Sequence, residues 1–314
     1  MHEIKNTPAL ETIGLSYKYP GGTEILNDIN LLVPEGSIYG FLGPNGAGKT
    51  TTLKLVLGLL KGHSGEIKIF GESMPKSRMH ILQKTGSLIE TPSLYGHLTA
   101  MENLQALQHI YRCNASRMKQ VLKLTGIANT GNKKVGKFSL GMKQRLSIAM
   151  TLLHSPKLLI LDEPVNGLDP NGILEVRELL QQLNKTEGIT IIISSHLLAE
   201  IEKLVSDIAI IHKGRLQFQG TLLKLLQKKQ ETSAVMIRTG DNASTINHLT
   251  ALQYMAKSSH NHILLPGLPD HEVSNIIQWL VSKNVEVYEV TPQQNDLENI
   301  FMNMLHEVST STNQ

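Results

Sequence analysis

The stretch Gly43-Pro-Asn-Gly-Ala-Gly-Lys-Thr50 decides the class of fold. It follows an apolar run, Ser37–Leu42, and precedes a segment with helical spacing, Leu53–Leu60. Glycines let consecutive backbone N–H groups turn toward phosphate oxygens, and the N-terminus of the following helix favours anions. We predict a nucleoside triphosphate site in which Lys49 meets the β- and γ-phosphates and the Thr50 hydroxyl holds Mg²⁺. Its cradle comprises Gly43, Pro44, Asn45, Gly46, Ala47, Gly48, Lys49, Thr50 and Thr51.

Composition limits the remaining classes of function. The chain has 314 residues, which suits one large domain and a smaller one, and 40% of them are hydrophobic. Its net charge is +3 and no basic stretch is interleaved with aromatic residues, so nucleic acid is not an expected partner. The single cysteine, Cys113, excludes an intramolecular disulfide and fits a reducing compartment, and we interpret it as a small apolar residue.

We expect a cytoplasmic location for the chain. No apolar run approaches the ~20 residues that span a bilayer. The N-terminus, Met1-His-Glu-Ile-Lys5, lacks the charged start and apolar core of a signal peptide. If the protein acts at a membrane, another chain must supply the membrane span.

The order of apolar segments indicates an α/β fold with a parallel sheet. Residues 11–35 predict an antiparallel β subdomain around the Pro20-Gly21-Gly22 turn, and helical spacing over 100–156 predicts an inserted helical subdomain at about 91–156. From Lys157 onward strands alternate with helices, as in a parallel sheet covered on both faces. The predicted strands are Glu11–Tyr19, Asn27–Pro34, Ile38–Leu42, Gly65–Phe70, Thr85–Glu90, Lys157–Leu161, Thr190–Ser194 and Ile208–Ile211. The predicted helices are Met101–Tyr111, Met118–Leu124, Gly141–Leu153, Gly172–Asn184 and Leu197–Val205.

Composition shifts after Gly220, so we expect a small C-terminal α/β domain over 221–314. Its apolar residues suggest either a ligand pocket or a core, and helical spacing favours a core without chemistry of its own. These residues are Met255, Trp279, Phe301, Met302 and Met304. The predicted elements are helix Thr221–Gln230, strands Ala234–Arg238 and Ile263–Leu265, helix Glu272–Lys283, strand Val285–Val290, helix Leu297–Leu305 and a disordered tail over 309–314.

Polar side chains follow two of the predicted parallel strands. Asp162 and Glu163 come directly after Leu158–Leu161, and His196 follows the strand that ends near Ser195. Ligands of open parallel sheets lie at the carboxyl ends of strands, where the phosphate loop also lies. We predict that Asp162 joins Thr50 in holding Mg²⁺, that Glu163 positions the attacking water, and that His196 donates to the γ-phosphate. In a chain without a phosphate loop, the acidic pair would be interpreted as a solvated strand end and the histidine as structural.

A second anion site is predicted at the helix that Ser139-Leu140-Gly141 opens. Ser139 has the residue type and position of an N-cap, and the amides behind it point out of the helix start. A simple cap is the alternative interpretation.

The order of these motifs resembles that of the ATP-binding subunit of an ABC transporter, over residues from about 10 to 220. The matching stretches are the phosphate loop, the Ser139 helix, Leu158-Leu-Ile-Leu-Asp-Glu-Pro164, Gly167-Leu-Asp-Pro170 and Ser195-His196. The resemblance implies an ATPase domain over 1–220 and a head-to-tail dimer that encloses two ATP molecules. Ser139 and Gly141 would then hold the γ-phosphate bound to the phosphate loop of the partner subunit, and Asp169 would lie at the dimer interface. The resemblance also implies a separate integral membrane subunit or subunits, which would dock near Glu90–Leu98 and keep the protein at the inner face of the membrane.

The resemblance further implies that Tyr19 stacks on adenine, with plain packing of the strand as the alternative. We expect Tyr17 on the opposite face of the strand, which makes it the less favoured stacking residue.

Two departures from the family pattern are informative. The usual Leu-Ser-Gly-Gly-Gln signature is Phe138-Ser-Leu-Gly-Met142 here, and Glu90 stands where most members have a glutamine near the metal. Glu90 would accept from a metal-bound water, but it brings a formal charge. With the segment Asp296–Phe301, these features are similar to those of ATPases in bacitracin-resistance and lantibiotic-immunity exporters.

Three functions fit these residues. The first is an ATPase that powers export of a peptide antibiotic or similar amphiphile through a separate membrane subunit, with a second copy of this chain as the expected ATPase partner. The second is an ABC ATPase that remodels a ribosome or DNA, although such proteins usually carry two ATPase domains or a long coiled coil. The third is a binding module that uses ATP as a clamp, which the joint presence of Lys49, Thr50, Glu163 and His196 disfavours.

Overall fold

The computed structural model describes residues 7–90, 93–232, 234–259 and 261–293 of the chain. Its first unit consists of two sheets and a group of helices. The chain divides after Leu222, and each unit has its own contacts. The strands of the first unit are β1 (Leu10–Lys18), β2 (Glu24–Ile29), β3 (Leu32–Val33), β4 (Ile38–Leu42), β5 (Ser64–Ile69), β6 (Glu72–Ser73), β7 (Thr85–Leu88), β8 (Leu158–Asp162), β9 (Thr190–Ser195), β10 (Asp207–His212) and β11 (Arg215–Thr221). Its helices are α1 (Lys49–Val56), α2 (Arg78–Gln83), α3 (Ala100–Ala106), α4 (Gln108–Tyr111), α5 (Ala115–Leu124), α6 (Leu140–Thr151), α7 (Pro170–Glu187) and α8 (Leu198–Ile201).

The antiparallel sheet forms around β1, which pairs with β2, β3 and β5. Leu10, Leu15 and Tyr17 of β1 are buried apolar residues, and the buried positions change from even to odd numbers because the register of the strand shifts between Ile13 and Ser16. The predicted strand Asn27–Pro34 is wrong in its bounds, because the chain forms two strands there. Asp28 adopts a left-handed conformation at φ 54°, and this irregularity precedes the break between β2 and β3.

The central sheet has the strand order β11-β10-β4-β9-β8-β7. Strands β10, β4, β9, β8 and β7 are parallel to one another, as predicted, and every residue of β4 and β9 is buried. Strand β11 was not predicted. It pairs antiparallel with β10 at the edge of the sheet. An edge strand has an exposed face, so its sequence lacks the continuous apolar run that marks a central strand.

The segment between β7 and β8 is helical, as the helical spacing over 100–156 predicted. The predicted helix Met101–Tyr111 is interrupted between α3 and α4 at Leu107. Helix α3 begins with a capping box in which the Thr99 hydroxyl accepts from the Glu102 N–H and the Glu102 carboxylate accepts from the Thr99 N–H. The hydrogen bond from the Thr99 N–H, together with the Lys134 ammonium 3.1 Å away, lowers the pKa of Glu102 to about 2. The predicted helix Leu197–Val205 is too long, since α8 ends at Ile201.

The second unit is a four-stranded antiparallel sheet with helices on its apolar face. Its elements are α9 (Leu222–Thr232), β12 (Ala234–Thr239), α10 (Asn242–Ala251), β13 (Lys257–Ser259), β14 (His262–Pro266), α11 (Asp270–Ser282) and β15 (Val287–Gln293), with the strand order β13-β14-β12-β15. Helix α10 and strand β13 were missed. Trp279 packs against the core around Ile237 and Leu280, whereas Met255 is 77% exposed, so these two residues do not support the pocket interpretation. The predicted helix Leu297–Leu305, with Phe301, Met302 and Met304, lies outside the described residues, as does the tail.

No helix in the described ranges has the length and hydropathy needed to cross a membrane.

Gly214, in the turn between β10 and β11, provides a test of how the two sheets are joined. Its N–H donates to the Ala47 carbonyl of the phosphate loop and its carbonyl accepts from the Asn27 N–H. At its φ of 73°, a Cβ would lie 2.1 Å from the Ile25 carbonyl oxygen. We expect Gly214→Ala to lower the free energy of unfolding by about 3 kcal/mol or more, because neither backbone segment moves freely.

Gly36→Ala is the matched control. Gly36 has a similar φ of 76°, but a Cβ there meets nothing within 4 Å, so only the left-handed strain of about 1–2 kcal/mol is expected. Urea unfolding of both variants measures the difference, and equal losses would contradict the close approach at Gly214.

Candidate functional site

The phosphate loop is fixed by close packing beneath it. Strand β4 is fully buried and leads into Gly43, where a Cβ would lie 2.4 Å from the Ile211 carbonyl oxygen. Gly48 has a φ of 109°, and a Cβ there would lie 2.6 Å from the side chain of Leu26. Both positions therefore require glycine, and α1 begins directly afterwards at Lys49.

Lys49 is 5% exposed and its ammonium is fully engaged in the loop. Its Nζ donates to the Gly43 carbonyl at 2.7 Å and lies 3.3 Å from Oε1 of Glu163. A buried ammonium is costly unless it is paired, and here a carboxylate pairs with it. The loop thus places a positive charge where phosphate oxygens would approach.

Asp162 is held between two hydroxyl groups at the carboxyl ends of β8 and β9. The Thr50 hydroxyl donates to its Oδ2 at 2.8 Å, and the Ser194 hydroxyl donates to its Oδ1. The parallel register pairs Asp162 with Ser194 directly. Sequence reasoning did not assign Ser194 to the site, because neighbouring strands β8 and β9 are distant in sequence and only their register brings the two side chains together.

Glu163 lies between two possible charge partners. One carboxylate oxygen meets Lys49, and the other lies 2.8 Å from Nδ1 of His196. Glu163 adopts a φ of 49°, and its N–H donates to the Ser194 hydroxyl at 3.0 Å. The structure therefore joins Lys49, Glu163 and His196 in one chain of contacts at the sheet edge.

A cavity of about 570 Å³ opens above these residues. It contains most of the predicted cradle and also Ile25 and Asn166, which sequence reasoning missed. Asn166 follows Glu163 by three residues, whereas Ile25 reaches the cavity through the β1–β2 hairpin and gives no local signal. The lining residues are Tyr19, Ile25, Pro44, Asn45, Gly46, Gly48, Lys49, Thr50, Thr51, Glu163, Asn166 and His196. Ala47 is 3% exposed, so its side chain belongs to the support of the loop.

Tyr19 lines the cavity and is 40% exposed, so its ring is accessible for stacking. Its ring meets that of Tyr17 edge-on, with centroids 5.0 Å apart. The expectation that Tyr17 lies on the opposite strand face is wrong, because its ring contacts that of Tyr19, which follows the end of β1 at Lys18. Tyr17 is 5% exposed and buttresses Tyr19 from the side of the core.

The Thr50 hydroxyl and the Asp162 carboxylate fit a magnesium ion that keeps several waters and binds phosphate. Mg²⁺ usually takes only one or two carboxylates from protein, and the described residues include no group of three histidine, cysteine or acidic side chains able to hold a metal. Glu90, the third predicted metal group, pairs with Lys54 at 2.6 Å, its side chain is 67% exposed, and its contact with a metal-bound water stays a prediction. The hydrogen bond to Glu90 raises the pKa of Lys54.

Ser139 caps α6, since its hydroxyl accepts from the Met142 N–H at 3.2 Å. Ser139 is exposed, and neither it nor Gly141 lines the cavity of its own chain. Gly141 is buried against the start of α7, where a Cβ would lie 3.7 Å from the Gly172 Cα. Asp169 caps α7 by accepting from the Gly172 N–H at 3.1 Å. The two predicted anion sites therefore do not meet within one chain.

Comparison of the sequence with known proteins identifies the family of this chain. A model of the ABC transporter family matches residues 26–166. The chain is 39% identical to the bacitracin transport ATP-binding protein BcrA of Bacillus licheniformis, over 94% of this chain and 97% of that protein. It is 45% identical to the lantibiotic transport ATP-binding protein SrtF of Streptococcus pyogenes, over 62% of this chain and 84% of that protein.

A solved structure agrees with these sequence relatives. The chain superposes on cbiO1 from Clostridium perfringens, part of the ABC transporter complex cbiONQ, with a TM-score of 0.62 and 30% identity. The match covers 71% of this chain and 92% of that one. The chain belongs to the ATP-binding proteins of ABC transporters, and it is an ATPase.

Proposed function

We propose that this ATPase drives the export of a peptide antibiotic or similar amphiphile through a separate integral membrane subunit. The main support for this proposal is the similarity to the bacitracin transport protein along 94% of this chain. The lantibiotic transport protein is a second relative. Similarity over nearly the whole chain disfavours the ribosome- or DNA-remodelling alternative, because that alternative would need additional elements.

Several residues that line the cavity, and Asp162 beside it, would have separate roles in ATP hydrolysis. Thr50 and Asp162 would hold Mg²⁺, which when bound offsets the negative charge of the phosphates. Glu163 would accept a proton from the attacking water, and the His196 contact fixes the direction of its carboxylate. Lys49 would exchange its contact with Glu163 for one with the β- and γ-phosphates, which releases the Glu163 oxygen toward water. Tyr19 and Ile25 provide apolar surface for adenine at the cavity mouth.

The site is incomplete without a second subunit. The exposed Ser139 and the adjacent Leu140, which is 52% exposed, leave the start of α6 open. In the proposed head-to-tail dimer, Ser139 and Gly141 present this helix start to the triphosphate on the partner subunit. We expect a homodimer with Asp169 near the interface, closed by ATP and reopened after hydrolysis.

Two further parts of the chain, the segment near Glu90–Leu98 and the C-terminal domain, would support the ATPase. The membrane subunit docks near Glu90–Leu98 and holds the ATPase at the inner face of the membrane. The domain over 1–220 carries the ATPase, and residues 221–314 form a regulatory or dimer-bracing domain. A chain that lacks 222–314 yet retains full transport and dimerisation would contradict that last role.

Glu163→Gln tests the hydrolytic role. Glutamine keeps the size of the side chain but is a poor proton acceptor, so we expect ATPase activity to fall by about 10²-fold or more. ATP affinity should change little, because the loop amides and Lys49 remain. ATPase assays and binding of a fluorescent ATP analogue to the full chain measure both quantities.

Glu178→Gln is the matched control, since Glu178 is an exposed residue of α7 outside the cavity. It should retain full activity. Turnover by Glu163→Gln at the rate of the unmodified protein would assign the proton acceptor to another group.

The proposed cargo is tested in the organism that carries this chain. Replacing the chain by the Glu163→Gln variant should lower the concentrations of bacitracin or a lantibiotic that inhibit growth, because export stops. The inhibitory concentration of a small non-peptide antibiotic should stay the same. Unchanged resistance to peptide antibiotics, with ATPase activity abolished, would overturn the cargo assignment and leave the ATPase in place.

A further inference from the structure

Helix α1 carries two cross-links on one face, four residues apart. Thr50 donates to Asp162, and Lys54 donates to Glu90 at 2.6 Å. Side chains at this spacing project from the same side of a helix, about 6 Å apart along its axis. Glu90 is thus tethered to a residue one helical turn from Thr50, and the charge of Lys54 interacts with Asp162 as well as with Glu90.

The acidic groups of this region differ in their partners. Glu163 contacts Lys49 and His196, and Glu90 contacts Lys54. Asp162 accepts from two neutral hydroxyl groups. Among these three described acidic groups, Asp162 is the one without an ion pair. Its carboxylate is therefore the one available to a dication that approaches Thr50.

Glu90 would change this balance if it were released. Its side chain is 67% exposed, so packing does not fix it, and the contact with Lys54 is what tethers it. A freed Glu90 carboxylate would add negative charge to the surroundings of Thr50 and Asp162 and would compete for the water ligands of the metal. The Lys54 side chain is 28% exposed and is less free to move than its partner.

We propose that Lys54 is a positioning residue that acts through Glu90: it tethers the Glu90 carboxylate beside α1 and cancels its charge. Asp162 would then remain the carboxylate that helps to hold the metal, and Glu90 would stay outside the ligand set until its tether breaks. This inference rests on the proposed function, because it assumes that Mg²⁺ and ATP bind at Thr50 and Asp162.

A magnesium titration tests the inference in the full-length Glu163→Gln protein, which should bind ATP without turnover. The readout is the Mg²⁺ concentration that gives half-maximal binding of a fluorescent ATP analogue, measured for Lys54→Gln, Glu90→Gln and the double variant. We expect Lys54→Gln to lower this concentration about three- to tenfold, because the freed carboxylate attracts the dication. In the Glu90→Gln background the same change should have a clearly smaller effect of about twofold, because only the direct interaction of the Lys54 charge with Asp162 is then removed.

Two controls separate tethering from a general change of charge. Lys54→Arg keeps the ion pair and should leave the half-maximal concentration unchanged. Lys61→Gln removes an exposed lysine just beyond α1 and should also have no effect.

Three results would overturn the inference: no shift for Lys54→Gln, an equal shift in both Glu90 backgrounds, or an equal shift for Lys54→Arg. Absence of ATP binding in every protein, including the parent, would instead contradict the proposed function. Circular dichroism and melting temperature of each variant confirm that it is folded.

Discussion

The parallel register of β4, β9 and β8 is the constraint on which the site depends. It sets Leu42 opposite Ser195 and Asp162 opposite Ser194, so the phosphate loop and the acidic pair leave the sheet at one edge. The strands are held at this register by their buried apolar residues. A shift of one residue would turn the side chains to the opposite face and separate Thr50 from Asp162.

In the proposed mechanism, the contacts at this edge connect nucleotide binding to hydrolysis. Lys49 contacts Glu163 in this arrangement, and Glu163 also contacts His196. A triphosphate offers Lys49 a stronger set of acceptors, so its arrival changes the surroundings of the residue proposed to activate water. The same event would complete the site only when the exposed start of α6 on a second subunit closes over the γ-phosphate.

Residues that act through local sequence could be predicted, and residues that act through tertiary pairing could not. The phosphate loop, the Asp162-Glu163 pair and the helix start at Ser139 each carry a local pattern with a physical cause. Ser194, Ile25 and the partner of Glu90 depend on which strand or helix lies alongside. Strand β11 lies at the sheet edge and has no continuous apolar run, and helix α10 begins at an Asp241 cap that sequence reasoning did not use.

An experimental structure of the Glu163→Gln protein with Mg²⁺ and ATP tests the central claim most directly. The account predicts two copies head to tail, with each triphosphate held by the loop of one copy and capped by Ser139 of the other. A nucleotide-loaded structure in which Ser139 faces solvent, far from any triphosphate, would contradict it.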